Sequence, residues 1–148
     1  MVDNSHKTAI KRKTPSAPVR FIVNFGYAKG RCLDYGCGHG LDADTFGFEK
    51  YDKYYNPKKL TRKYDTIVCT YVLNTVKPKA QREIIEDIKS LLKQRGTAYI
   101  TVRRRVNEGK TKKDTYQCNV KLDLPIVDRT SWYTIYRLSK KEVDNLSA

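Results

Sequence analysis

Arg31-Cys32-Leu33-Asp34-Tyr35-Gly36-Cys37-Gly38-His39-Gly40 runs a short apolar strand into an acid and then three glycines on alternate positions. Glycine suits such a turn because the backbone can take angles closed to other residues, and because no Cβ keeps a ligand away. Residues 31–35 fit the first strand of an open α/β sheet, in which ligands sit beyond the carboxyl ends of the strands. A dinucleotide fingerprint, G-x-G-x-x-G, would set its third glycine one residue further on and open a long helix. Gly36, Gly38 and Gly40 do not keep that spacing. A purely structural glycine turn is the plainer alternative, and the ordered sheet signals around it weigh against that.

Upstream, Ser16 offers an N-cap, Pro18 a first-turn residue and Phe21, Ile22 and Phe25 an apolar face closed by Gly26, which predicts a short helix over residues 18–25. Downstream, residues 41–46 leave room for a turn or two of helix before Gly47 opens a second strand over 48–52. Residues 64–71 have the composition of a buried parallel strand, with Ile67, Val68 and Val72 at its heart. Only residues 53–63 separate these two strands, and a parallel crossover takes about a dozen residues or more. The third strand that such a sheet usually carries at that edge is therefore expected to be missing.

Pro78 opens the most regular helical pattern of the chain, with Ala80, Ile84, Ile85, Ile88, Leu91 and Leu92 at helical spacing and Gly96 as its stop. Residues 97–102 follow as a strand that ends in Arg103-Arg104-Arg105. Residues 116–122 and 132–138 alternate as strands and are expected to pair antiparallel at one sheet edge, with residues 123–131, which include Pro125, as the loop between them. Residues 139–148 are expected to form a weak helical tail. The fold class is thus α/β: a compact Rossmann-like sheet, mostly parallel, with a C-terminal antiparallel pair.

The 148 residues suffice for one domain with a substantial core but are few for a separate target-recognition domain, so substrate selection falls to a small element or to a protein partner. A count of 30 Lys and Arg against 16 Asp and Glu gives a formal net charge of +14, which favours polyanions such as nucleic acid. The cysteines Cys32, Cys37, Cys69 and Cys118 lack C-x-x-C pairing and the only histidines are His6 and His39, so reduced thiols and no metal site are expected. No apolar run is long enough for a membrane span, and residues 1–18 lack the hydrophobic stretch of a signal peptide. No membrane association and a cytoplasmic location are expected. Lys7, Lys11, Arg12 and Lys13 fall in a stretch without a periodic apolar face, so residues 1–17 read as a basic segment whose order depends on what it covers, and residues 18–148 as a single domain.

Asp52 ends the second strand where an acid can accept both ribose hydroxyls of a nucleoside. Standing alone it would read as the start of a turn with Asn56 and Pro57; its place after the glycine turn favours the ligand role. Thr70, Tyr71 and Asn74 follow at the mouth of the neighbouring strand, at the switch-point side of the sheet. There Tyr71 serves equally as core filling or as a pocket wall.

With Asp34 two residues before Gly36, the turn resembles motif I of the class I S-adenosylmethionine (SAM) methyltransferases. His6-Lys7-Thr8-Ala9-Ile10-Lys11-Arg12, Pro15-Ser16, the turn itself, Asp52 and Tyr71-Val72-Leu73-Asn74 together resemble the methyltransferases associated with DNA phosphorothioation, over residues 6–102. Cys69-Thr70 departs from that pattern, where Leu-Gly is expected. The resemblance implies SAM as cofactor, held by the glycine loop, Asp34, Tyr35, Gly36, Cys37, Gly38, His39 and Gly40, and by Asp52. Thr70, at the strand mouth, is expected to face the same cofactor, and Arg12 with the N-terminal segment to close over it. With the third strand absent, Tyr51, Tyr54 or residues 7–16 would have to enclose the adenine.

Methyl transfer from a sulfonium is an in-line displacement that needs orientation more than a metal, and a base only where the acceptor demands one. Tyr71 packing on an acceptor and Asn74 orienting it are the catalytic candidates. The place of the Asn/Asp-Pro-Pro-aromatic motif of exocyclic-amine enzymes reads Cys69-Thr70-Tyr71-Val72-Leu73, and no cysteine follows a proline as cytosine-C5 chemistry requires. Arg103, Arg104, Arg105, Lys110, Lys112 and Lys113 can neutralise phosphates, with Tyr116 or Trp132 for base stacking; a solvated basic loop is the bland alternative. Three readings result: a SAM-dependent methyltransferase whose acceptor the sequence does not name, with nucleic acid the favoured class; an inactive SAM-binding or nucleic-acid-binding module; and a small enzyme using SAM for another reaction.

Overall fold

The structure, a computed structural model, describes residues 4–140. Its centre is a six-stranded sheet built from β1 (Cys32–Tyr35), β2 (Glu49–Tyr51), β3 (Tyr64–Thr70), β4 (Leu92–Arg103), β7 (Ile126–Arg129) and β8 (Tyr133–Ser139), in the order β2-β1-β3-β4-β8-β7. Strands β1 to β4 are parallel, and β8 runs antiparallel to both β4 and β7. Two short strands, β5 (Gly109–Lys110) and β6 (Tyr116–Gln117), form a separate antiparallel pair.

Side chains alternate across the sheet, as the period of a strand dictates. Val68, Tyr99, Tyr133 and Ile135 face one side and pack with Val19 and Ile22 of α1 (Ala17–Asn24), while Phe46 of α2 (Leu41–Phe46) lies against the same cluster. Ile67, Cys69, Ala98, Ile100, Tyr136 and Leu138 face the other side and pack with Ile88 and Leu91 of α3 (Pro78–Leu91). Each fully buried aliphatic side chain contributes about 1.5–3 kcal/mol. The result is a layer of helix on each face, which leaves the carboxyl ends of the parallel strands open.

The chain passes from β1 to β2 on one side and returns to place β3 on the other side of β1. This reversal is the switch point of the sheet, and the glycine turn and the end of β3 flank it. As expected, no strand lies beyond β2 among the described residues; residues 52–63 make only a tight turn, closed by an Asp52–Asn56 bridge, before β3 begins.

Two expectations fail. The third helix ends at Leu91 rather than at Gly96, and Gly96 lies within β4. Its glycine serves packing instead of capping: a Cβ there would sit 2.8 Å from the Tyr64 carbonyl oxygen, beside the irregularity in the β3–β4 register. The partner of β8 at the sheet edge is β7, inside the stretch expected to be a loop, while of residues 116–122 only Tyr116 and Gln117 form a strand, paired with β5. Ile126 and Val127 carry the branched side chains of a strand, and Pro125 precedes it at the edge, where its carbonyl accepts from the Arg137 amide at 2.9 Å. The Cys118 amide instead donates to the Asn74 carbonyl at 2.8 Å, so this segment is taken up by the short helical turn, Leu73–Thr75, that follows β3. Of the expected helical tail, residues 141–148 lie outside the described residues, and Ser139 closes β8. No helix among the described residues is long and apolar enough to cross a membrane.

Candidate active site

The carboxyl ends of β1, β2 and β3 open into a cavity of about 1020 Å³. The glycine turn forms its floor. Gly36, Gly38 and Gly40 take φ of 79°, 56° and 87°, the left-handed region, and a Cβ on Gly36 would sit 2.5 Å from Val72 Cγ2. The amides of Gly36 and Cys37 donate to the Tyr51 carbonyl at 2.7 and 2.9 Å, stitching the turn to the end of β2.

Asp52 completes that stitch. Its Oδ2 accepts the Gly38 amide at 2.8 Å, and its Oδ1 accepts the amides of Tyr54 and Tyr55 at 2.9 and 3.0 Å. A carboxylate offers about four lone-pair directions, so acceptor capacity toward the cavity remains. Asp34, only 3% exposed, lies between two other acids: burial, then Asp42 and Asp52, hold its carboxyl well above the usual range. Asp42 is committed to the N-terminal segment, accepting the Ser16 amide and hydroxyl, both at 2.7 Å. Thr70 lines the cavity with a buried Oγ1 that has no hydrogen-bond partner. The Cys37 thiol is pushed up to about 12 by burial, then by Asp34 and Asp52, so it is not a thiolate at neutral pH.

Residues 5–12 cross the cavity mouth. The His6 ring stacks on Tyr54 at 3.9 Å and 11°, His39 packs against Tyr55 at 4.5 Å, and the Tyr55 hydroxyl donates to the His6 carbonyl at 3.4 Å. Ser5, His6, Thr8, Ala9 and Arg12 all contribute to the lining.

Tyr71 has φ of 61°, unusual for a residue with a Cβ, and this turns the chain as it leaves β3. Two guanidinium groups lie over its ring, Arg103 at 4.6 Å and Arg12 at 6.0 Å from the centroid. Burial raises its phenol, with Arg103 and Arg12 pulling the other way. Asn74, 2% exposed, acts as a brace: its Nδ2 donates to the carbonyls of Cys118 (2.9 Å) and Arg103 (3.3 Å), and its Oδ1 accepts the Arg103 amide at 2.7 Å. Its side-chain donors are thereby committed to backbone rather than free for an acceptor.

All of Arg12, Asp34, Tyr35, Gly36, Cys37, Gly38, His39, Gly40, Asp52, Thr70, Tyr71 and Asn74 thus line one cavity. The basic residues divide. Arg103 and Arg105 line it; Arg104 turns away and donates to the Thr130 carbonyl; Lys110 pairs with Asp114 at 2.6 Å; Lys112 and Lys113 stand exposed on the β5–β6 turn. Sequence reasoning missed Asp42, Thr115 and Gln117, and it offered Tyr116 only as a base-stacking residue, whereas Tyr116 lines this cavity between the other two. Nothing local marks Asp42, since its partner Ser16 is distant in sequence.

The methyltransferase domain family matches residues 9–132. No curated protein matches the sequence. Among solved structures, the chain is similar to the 1,6-didemethyltoxoflavin-N1-methyltransferase of Burkholderia thailandensis with bound S-adenosylhomocysteine, at 14% identity and a TM-score of 0.56 over 91% of this chain and 77% of that one. It is similar to a magnesium protoporphyrin IX methyltransferase of Synechocystis with bound S-adenosylhomocysteine, at 15% identity and a TM-score of 0.52 over 82% and 79% of the two chains. A third structure, described for the conversion of a disulfide bond into a thioacetal group during echinomycin biosynthesis, is similar at 13% identity and a TM-score of 0.56 over 97% and 91%. These likenesses show the fold. With the family match spanning most of its length, this chain belongs to the methyltransferase domain family.

Proposed function

We propose that this protein is a SAM-dependent methyltransferase whose cofactor is held by the glycine turn and Asp52, and whose acceptor is a nucleic acid. The observation that carries the cofactor site is the tie between the Gly38 amide and Asp52 at the switch point of the sheet. It holds a backbone without Cβ atoms against an acid with acceptor capacity to spare, which suits a ribose. The orphaned Thr70 hydroxyl and the buried Asp34 carboxyl fit the same ligand, one needing a polar partner and the other a nearby positive charge. Two of the similar structures hold S-adenosylhomocysteine, which supports the same class of ligand.

Bound there, SAM would supply an electrophilic methyl group on a sulfonium. The chain's own part is orientation. The glycine turn and Asp52 fix the nucleoside, Tyr71 walls the acceptor side, and Asn74 positions the Arg103 backbone beside it. Residues 5–12 limit access of water. Net charge and the Arg103 and Arg105 side chains on the lining support a phosphate-bearing acceptor. A narrower kinship with methyltransferases associated with DNA phosphorothioation rests on the motifs quoted above, and a protein partner would supply target selection.

Calorimetric titration of the full chain with SAM and S-adenosylhomocysteine, in salt that screens nonspecific charge, tests the site. One-site binding that weakens at least about tenfold in Asp52→Ala, with the circular dichroism spectrum retained, is expected. Binding of neither ligand, or unchanged affinity in the variant, would overturn the assignment. Binding without transfer of a labelled methyl group to any nucleic acid would favour the inactive module.

A further inference from the structure

Trp132 is the only tryptophan of the chain and is 79% exposed, at the tip of the β7–β8 hairpin. Its backbone is pinned: the carbonyl accepts the Arg104 amide at 2.9 Å, and its own amide donates to Thr130 Oγ1 at 3.1 Å. The indole is thus held out on a fixed support. Because β7 runs parallel to β4, this tip lies at the same carboxyl edge of the sheet as the cavity.

Arg104 is hydrogen-bonded to Trp132 through its backbone, Arg129 ends β7 of the same hairpin, and Arg105 follows Arg104 in the chain. Desolvation and the charges of Arg129 and Arg105 hold Arg104 below the usual guanidinium range. None of Arg104, Arg105 and Arg129 forms an ion pair with a carboxylate among the described residues. Asp128, the one acid of the hairpin, interacts with Tyr133. Arg105, at φ of 57°, also lines the cavity, so the basic patch is continuous with the site.

We propose that this edge is a platform for single-stranded nucleic acid, with an unpaired base stacked on Trp132, neighbouring phosphates on Arg104 and Arg129, and the strand led past Arg105 into the cavity. The proposal rests on the nucleic-acid reading of the acceptor but not on methyl transfer. Cations that repel one another and form no ion pair among the described residues call for a polyanion, and an exposed aromatic face on the same hairpin calls for a base. In a duplex the faces of the bases are already stacked on one another, so a lone indole on a narrow turn has no face to meet. An open strand presents one.

The lone tryptophan makes the test direct. The full chain is titrated with an oligothymidylate and an oligouridylate of about twelve nucleotides, within the footprint of a single-strand module, and with a duplex of the same length and heparin. Saturable quenching of Trp132 emission by either single strand is expected, with tighter binding than to duplex; the stronger of the two single strands tells DNA from RNA. Heparin should bind with little quenching. By anisotropy of a labelled oligonucleotide, Trp132→Ala should bind about tenfold more weakly, with Trp132→Phe restoring most of the affinity. Arg129→Ala should flatten the salt dependence. Binding without quenching, equal affinity for duplex, or equal quenching by heparin would overturn the platform while leaving the nucleic-acid reading intact. No binding of any nucleic acid would overturn both, and SAM titrations would stand apart from either result.

Discussion

The Gly38 amide donates to the Asp52 carboxylate across 2.8 Å, joining the turn after β1 to the end of β2. The same carboxylate gathers the amides of Tyr54 and Tyr55, so one acid orders both walls of the proposed cofactor pocket. Asp52→Ala should cost about 1–2 kcal/mol, because water replaces these partners only in part. Asp52→Asn keeps an acceptor toward Tyr54 and Tyr55 but turns a donor toward Gly38, so its loss should be smaller. Urea melts should rank the wild type above the Asn variant and the Asn variant above Ala.

Asn74→Ala should be the more damaging change. It strips the hydrogen-bond partners from the Arg103 amide and the Cys118 carbonyl beneath a residue that is 2% exposed. Loss of such a buried node costs about 2–4 kcal/mol. A loss within about 0.5 kcal/mol in the same melts, typical of a surface substitution, would refute the bracing role.

Asp34 sets a pH dependence of definite sign. Burial, Asp42 and Asp52 raise its folded-state pKa above the unfolded value, which is about 3.9. The stability it contributes is therefore full below the unfolded value and is lost as pH rises through the folded one. Asp34→Asn should melt like the wild type in acid and at a higher temperature near neutrality. A cationic ligand favours the charged carboxylate, so SAM binding to the wild type should tighten as pH rises through that titration, and the variant should lack this slope. Melting and calorimetric series across pH check both.

Cys37 lines the cavity with its thiol pushed up to about 12 by burial, Asp34 and Asp52. Alkylation by iodoacetamide near neutrality should run at least about a hundredfold slower than for a free cysteine, because the thiolate is the reactive form. Mass spectrometric labelling at stepped pH should show the rate climbing into strongly alkaline solution. Rapid labelling at neutral pH would contradict the buried acidic surroundings described for it.

The strand running into Asp34 and the alternating glycines, the acid at Asp52 and the short connection from there to Tyr64 determined by themselves the parallel sheet, its missing edge strand and the place of the pocket. Each is local: a turn that needs glycine, or a linker too short for another unit, is written in adjacent residues. Only the tertiary structure decided that Asp42 receives Ser16, that Asn74 braces Arg103 and Cys118, that His6 covers Tyr54 and that β7 rather than residues 116–122 pairs with β8. Gly96 shows the reason most plainly. Read locally it stops a helix, but it is glycine because the Tyr64 carbonyl crosses above it in the neighbouring strand, a partner that no periodicity within its own segment can name.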